Sequence, residues 1–447
     1  MRGVAHVGRR CPLIPRRGPA TGSSHIVTRA STWSGPRRCT GCMRPPDSPH
    51  DRPHDPVSDP PTLHLDEPPE LLAYLPFRLG FEPQESLVLL SIRAGADGGP
   101  EIGLVARVDL ADLADLADLA DLADLADLDG PAPGLGEHLL GQMENDGAAA
   151  VFAAVYTESA WPAVLSGRGG AGAVLAWWLA QAPLADPRRT WLVGNRHYRC
   201  IECANQPCCP PGGHPVEDLG CTQIRAHLVF QGESYVATRA ELLPDLRCEA
   251  TDRRTAAGAA TRERRRRERL SGRDLVHWRT DLRARWRRLL GAAAPAGERL
   301  GTREQLTDIP AAEYGHLLAG LEDVRVRDAV LLSVAAGARI EDPAGADSTR
   351  VLDAVFTGDL MPDQEMLATA ERALVAVAAH AGAGRAAPAL ATLAWLAWWN
   401  GDGARADVLV TAALEQDPSH RLARLLRQVV DRAMPPGWAR RDRTATA

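Results

Sequence analysis

Lysine is absent from this chain of 447 residues: all 51 basic side chains are arginine. Without a lysine amine there is no Schiff base, which excludes ordinary pyridoxal phosphate chemistry and lysine-based aldolases. A Walker A phosphate loop and a kinase-type phosphate lysine are excluded for the same reason. The sequence also has no G-x-S-x-G elbow and no H-E-x-x-H pair. Long apolar runs are missing too, the best being LATLAWLAWW at 390–399, well short of the ~18 residues that span a bilayer. The N-terminus carries no apolar signal-peptide core. These absences predict a cytoplasmic protein with no membrane partner, in which cysteine clusters stay reduced.

With 45% apolar residues and a formal charge of −6, the chain can bury a sizeable core and gives no global reason to expect nucleic acid. Its length suits two to three domains. Residues 1–65, rich in Arg, Pro, Ser, Gly and His, read as a disordered extension. Residues 66–250 read as an α/β domain, 251–299 as an arginine-rich helical linker, 300–434 as an all-helical domain and 435–447 as a disordered tail. The fold class is therefore α/β, a layered domain with a mixed, partly parallel sheet, followed by the helical domain.

Within the α/β part, Leu71, Leu72, Leu75 and Leu79 recur at helical spacing, and SLVLLSI reads as a buried strand. With IGLVARVDL (102–110) it predicts a hairpin. A helix over 135–145, a strand over 148–158, a helix over 171–184 and a strand over 189–200 follow, and 222–247 look helical. Strands alternating with helices argue for some parallel pairing.

Six ADL triplets fill 111–128. Three residues advance a helix by about 300°, so the leucine stripe drifts by about 60° per triplet and circles the axis. Such a pattern predicts an exposed insertion. A calcium loop is excluded because glycine turns and staggered oxygen ligands are missing.

The stretches YLPFRLGFEPQESLVLLSI (74–92), ARVDL, HYRCIECANQPCCPPGG, VRDAVL (326–331) and WLAWWNGDGARADVLVTAALEQDPSHRLARLL (395–426) together resemble the actinobacterial domain of unknown function 4192 family, over roughly 66–434. The resemblance implies no activity and no catalytic residue. The chain departs from the family pattern in its N-terminal extension, its triplet expansion and its long arginine tract. The family's cysteine pattern, C-x-x-x-x-C-C-P-P-x-G, is matched by Cys203, Cys208, Cys209, Pro210, Pro211 and Gly213. Cys200 and His214 lie outside it.

The same segment, CIECANQPCCPPGGHP at 200–215, is the leading chemical candidate. Cys200, Cys203, Cys208 or Cys209, and His214 approximate a zinc knuckle, in which short loops wrap thiolates around a tetrahedral metal. The competing reading is a proline-stiffened turn carrying buried thiols. Zinc is thus the one cofactor the sequence suggests. Redox chemistry fits less well, because Cys200-x-x-Cys203 is followed by a proline turn where a helix N-terminus is needed. Gly167, Gly169 and Gly172 spell G-x-G-x-x-G, but SAWPAVL separates them from the preceding strand, so a helix-capping loop is expected.

Residues 251–290 hold fourteen arginines and five acids, a local charge of +9. With Trp278 and Trp286 two turns apart, a helix there could grip phosphates and stack on bases. The preferred reading is a solvated helix whose tryptophans dock on the α/β domain, with Glu263 and Glu268 paired along its surface. Residues 395–418 have the logic of a tetratricopeptide-like hairpin, turning at Gly401–Gly403, which points to a protein partner on the helical domain. Arg107 and Asp109 share one face of a strand, as a salt bridge or a pocket wall. The sequence expectation is a partner- or ligand-binding protein without assignable catalysis, with a zinc-binding protein as the alternative.

Overall fold

The computed structural model describes residues 67–95, 99–113, 135–181, 183–203, 209–294, 305–336 and 346–439. The extension at 1–65, residues 440–447 and all but the first ADL triplet lie outside them; the first part of the expected disordered tail, 435–439, is instead packed on the helical half, with Trp438 Nε1 donating to the Trp399 carbonyl at 2.8 Å. Leu110 and Leu113, at the start of the repeat, are buried.

Helix α1 (Pro68–Leu79) starts with two prolines, whose missing N–H groups cost nothing there, and stops at Gly80, which is left-handed. Strands β1 (Ser86–Ala94) and β2 (Pro100–Asp109) form the expected hairpin. Then come α2 (Leu135–Asn145), β3 (Ala150–Tyr156), α3 (Trp161–Leu165), α4 (Gly169–Leu179), β4 (Thr190–Val193), β5 (His197–Cys200), β6 (His214–Pro215) and α5 (Gln223–Phe230). Among the described residues these strands form one sheet in the order β2-β1-β3-β4-β5-β6, and only β3 and β4 run parallel. The mixed, partly parallel sheet expected from the sequence is present.

Both faces of the sheet are covered, which is why SLVLLSI reads as an unbroken apolar run. Val88, Leu90, Phe152, Ala154, Tyr156, Trp191 and Val193 pack with α1 and α5. The alternate residues Leu87, Leu89, Val151, Ala153, Val155 and Leu192 pack with Met143 of α2 and Leu175 and Trp178 of α4. Between the layers, Asp146 accepts hydrogen bonds from Ser91 Oγ (2.7 Å) and Leu104 N (2.8 Å), fastening the hairpin to the end of α2. Glu70 of α1 reaches the N-terminus of α5, accepting from Gln223 N (2.9 Å) and Ile224 N (2.7 Å).

Two expectations are corrected. The strand placed over 189–200 is two antiparallel strands, β4 and β5, joined by a turn at Gly194–Arg196. Of 222–247 only α5 is an α-helix, followed by extended chain and one 3-10 turn at Arg239–Leu242. In that span Val236 exchanges backbone hydrogen bonds with Gly80 and Glu82 (3.0 Å each), an option that helix periodicity does not reveal.

The arginine-rich segment folds into α6 (Ala250–Glu268) and α7 (Gly272–Ala293). Beyond it lie α8 (Ala311–Leu321), α9 (Val324–Ala335), α10 (Ala346–Thr357), α11 (Gln364–Ala379), α12 (Ala387–Trp399), α13 (Gly403–Gln416) and α14 (Arg421–Asp431). Every residue of α12 is buried, and its tryptophans are core residues. The hairpin at Gly401–Gly403 is as expected, with Asp402 capping α13 by accepting from Arg405 N at 3.0 Å. Trp278 and Trp286 dock not on the α/β domain, as expected, but within the helical half, whose own helices cover them. Trp278 packs on Leu282 and Val326, and Trp286 donates to Ser333 Oγ at 3.0 Å. Glu263 is not a surface partner but a buried one, accepting from Trp278 Nε1 at 2.5 Å and bonded to His316. The physical reason is that α6 uses a small-residue face to approach α8 closely.

That approach sets the packing of the helical half. A Cβ at Gly315 of α8 would stand 2.1 Å from the carbonyl oxygen of Ala256 on α6, so the helices touch through glycine and the buried Ala256, Ala259 and Ala260. Gly315→Ala is expected to lower stability by about 1–3 kcal/mol, seen as a lower urea midpoint with an unchanged slope. An unaltered midpoint would show that the helices can separate without cost.

Candidate functional site

The carboxyl ends of β3 and β4 lie side by side because these strands are parallel, and there the chain opens into a cavity of about 580 Å³. Open α/β sheets characteristically bind ligands at this position, where neighbouring loops diverge, and the volume falls within the usual range for small-molecule pockets. One wall is α1, through Leu72, Ala73 and Pro76. The loop from α1 to β1 brings Glu82 and Glu85. The ends of β3 and β4 bring Tyr156, Thr157, Glu158 and Asn195, while Arg225 of α5 and Tyr235 close the far side.

Tyr235 is held against Glu82 by the backbone, because Val236 pairs with Phe81 in an isolated bridge. Arg225 Nη1 donates to Tyr235 Oη at 2.7 Å. Tyr235 in turn hydrogen-bonds Glu82. Burial raises the pKa of Glu82, and the bond from Tyr235 and the charge of Arg225 reduce that rise without cancelling it. Burial, with Glu82 beside it, also pushes the hydroxyl of Tyr156 well above the usual phenol range. Tyr156 is 5% exposed, and among the described residues no group hydrogen-bonds its hydroxyl.

Glu85 sits at φ 37°, in the left-handed region that side chains with a Cβ rarely occupy. Its carboxylate locks this geometry by accepting from Thr157 Oγ1 (3.1 and 3.0 Å) and Glu158 N (2.7 Å). Glu158 Oε1 accepts from Asn195 Nδ2 at 2.5 Å. A non-glycine residue strained in this way beside a cavity is a common mark of a functional site. Chemically, the site offers a carboxyl able to hold or release a proton at Glu82, a tyrosine–arginine relay behind it and an acidic mouth.

The residues singled out from sequence sit elsewhere. Cys200 and Cys209 are buried in the core against α1 and α5, and Cys203 is half-buried at its edge. Cys208 lies outside the described residues. The Cys200 thiol donates to the carbonyls of Pro187 and Arg188 (3.7 Å each). His214 stacks on Tyr198, with ring centres 5.2 Å apart. Gly213 is left-handed, and a Cβ there would stand 2.6 Å from the Trp161 ring, so the proline turn closes against a tryptophan. Among the described residues no group of three or more His, Cys, Asp or Glu is placed to hold a metal ion. Arg107 and Asp109 close on each other as a bidentate pair (2.5 and 3.0 Å), with the guanidinium 5.6 Å from the Phe81 ring centre; neither lines the cavity. Gly167 and Gly169 precede and open α4, and α3 separates them from β3.

The strand-end position of the cavity is hidden in the sequence for a physical reason. Reading 189–200 as a single strand hides the turn carrying Gly194 and Asn195, and with it the point where two parallel strands end. The polar pair Thr157-Glu158, directly after the apolar strand, was the available signal.

These features define a three-layer α/β unit with a strand-end cavity, joined to a helical half. The chain matches the model of the family described as Domain of unknown function (DUF4192) over residues 68–437. It belongs to that family. No curated protein and no solved structure matches it significantly. Among the described residues no helix is long and apolar enough to cross a membrane.

Two outcomes follow from the titrating groups. Because the folded-state pKa of Glu82 lies above its unfolded value, its contribution to stability is complete below the ordinary value of 4.5 and is lost as pH rises through the folded one. Glu82→Gln should therefore gain stability relative to the parent between pH 4 and 7, read as melting temperature against pH; parallel curves would contradict the burial of that charge. Burial, reinforced by the neighbouring thiols of Cys203 and Cys200, pushes the Cys209 thiol up to about 11. Site-resolved alkylation at pH 8 should modify exposed Cys221 well before Cys200 or Cys209, and equal rates would place those thiols outside the core.

Proposed function

We propose that this protein binds a small molecule in the cavity at the carboxyl ends of β3 and β4. The observation that carries this reading is Tyr156, a residue 5% exposed that lines the cavity beside Glu82 and Tyr235 and whose hydroxyl has no hydrogen-bonding partner among the described residues. A bound ligand would supply that partner, a hydrogen bond worth about 0.5–1.5 kcal/mol. The walls are held in place beforehand by the Glu85–Thr157 and Val236–Gly80 bonds, so binding need not order them. Apolar surface from Leu72, Ala73, Pro76 and Leu219 would take up the ligand's body. The reading is one of binding, with no catalytic step assigned.

The test is a thermal-stability screen of the full-length chain against a metabolite collection, with calorimetry on the hits. A true ligand should raise the melting temperature of the parent. Its affinity should fall about three- to tenfold in Tyr156→Phe, the worth of one hydrogen bond, and vanish in Val216→Trp, which fills the cavity from its rim. Hits unaffected by both substitutions, or a collection without hits, would remove the cavity as the functional site.

A further inference from the structure

We infer that the ligand of this cavity is a small organic cation, an amine or guanidine on a compact apolar body; the inference rests on the binding reading above. Two exposed carboxylates, Glu85 and Glu158, and the part-buried carboxyl of Glu82 line the cavity against one cation, Arg225. The guanidinium of Arg225 is already committed. It donates to Tyr235 Oη at 2.7 Å and lies 5.6 Å from that ring's centre, so it is turned toward Tyr235. Glu85 and Glu158 both line the cavity and are exposed, the backbone N of Glu158 donating to Glu85 Oε1 at 2.7 Å. Their neutral neighbours occupy only some of the acceptor positions: Thr157 on Glu85 and Asn195 on Glu158. A positive group held beside these carboxylates is attracted to both.

The acidic mouth does not stand alone. Tyr156, 5% exposed and with an unpartnered hydroxyl among the described residues, lies deeper in the same cavity. Together with Tyr235 it provides aromatic surface, which attracts cations. Leu72, Ala73, Pro76, Val216 and Leu219 complete an apolar lining. An anionic ligand would meet the carboxylates at the mouth, and a neutral one would leave their charge unanswered.

The experiment is calorimetry on the full-length chain at low ionic strength with phenethylamine, phenethyl alcohol and phenylacetate, three compounds of matched size that differ in charge, and with agmatine as a guanidine. The amine should bind about tenfold more tightly than the alcohol, with phenylacetate weakest. Glu158→Gln, at an exposed position that the core does not need, should weaken the amine several-fold and leave the alcohol unchanged. If the alcohol or phenylacetate binds as well as the amine, and Val216→Trp abolishes that binding, the cavity binds ligands but the cationic class is wrong. If none of the four binds, the cationic class is also wrong, while the binding reading is decided separately by the wider collection. Amine binding that survives Val216→Trp would overturn both.

Discussion

The parallel pairing of β3 with β4 is the constraint from which the site follows. Every other neighbouring pair in the sheet is antiparallel, and such strands can be joined by tight turns. A parallel pair needs a crossover, here supplied by α3 and α4, which cover one face of the sheet. The same arrangement brings two strand ends together at one edge, where the chain leaves in different directions and cannot fill the space between. Helix α1, the loop after it and α5 border that space. The strained backbone at Glu85 belongs to the same arrangement, since its carboxylate reaches the residues that leave β3.

In the helical half, part of the arginine tract is paired within the fold. Arg264 pairs with Glu322, Arg267 and Arg279 with Asp323, and Arg285 and Arg288 with Glu313. Burial opposes ionisation of Asp323, but Arg279 and Arg267 outweigh it and hold its carboxyl below the usual range. Trp278 and Trp286, the tryptophans of this tract, are inside the core. Part of a high local charge in sequence therefore becomes, in three dimensions, a set of ion pairs from α6 and α7 to the two ends of α8 and the start of α9.

Much of the fold was legible because its signals are local. The leucines of α1, the apolar run of β1 and the Gly401–Gly403 turn each carry their own period or turn chemistry, and each appears where the sequence places it. What was illegible depends on long-range pairing. The stretch Thr190–Cys200 is apolar enough to read as one strand, and only its pairing partners show that it doubles back. The residues Arg239–Arg247 look helical in composition, yet the preceding chain is drawn into extended form by Gly80 and Glu82. The cysteine segment drew attention because of its rarity, whereas burial had assigned two of its thiols to packing. Glu82 and Tyr235 are separated by more than 150 residues, and nothing in either neighbourhood announces the other.

The segment after α5 has two attachments. Tyr235 and Val236 form one wall of the cavity, and four residues beyond Tyr235, Arg239 pairs with Asp407 of α13, which also holds Arg427 of α14. Leu242, on the same stretch, lies against Gly80 at the end of α1. One short length of chain thus serves as the wall of a binding cavity and as the mooring of the helical half. The width of the cavity and the seating of the helices are for that reason mechanically linked quantities: neither can be adjusted, by sequence drift or by design, without reference to the other.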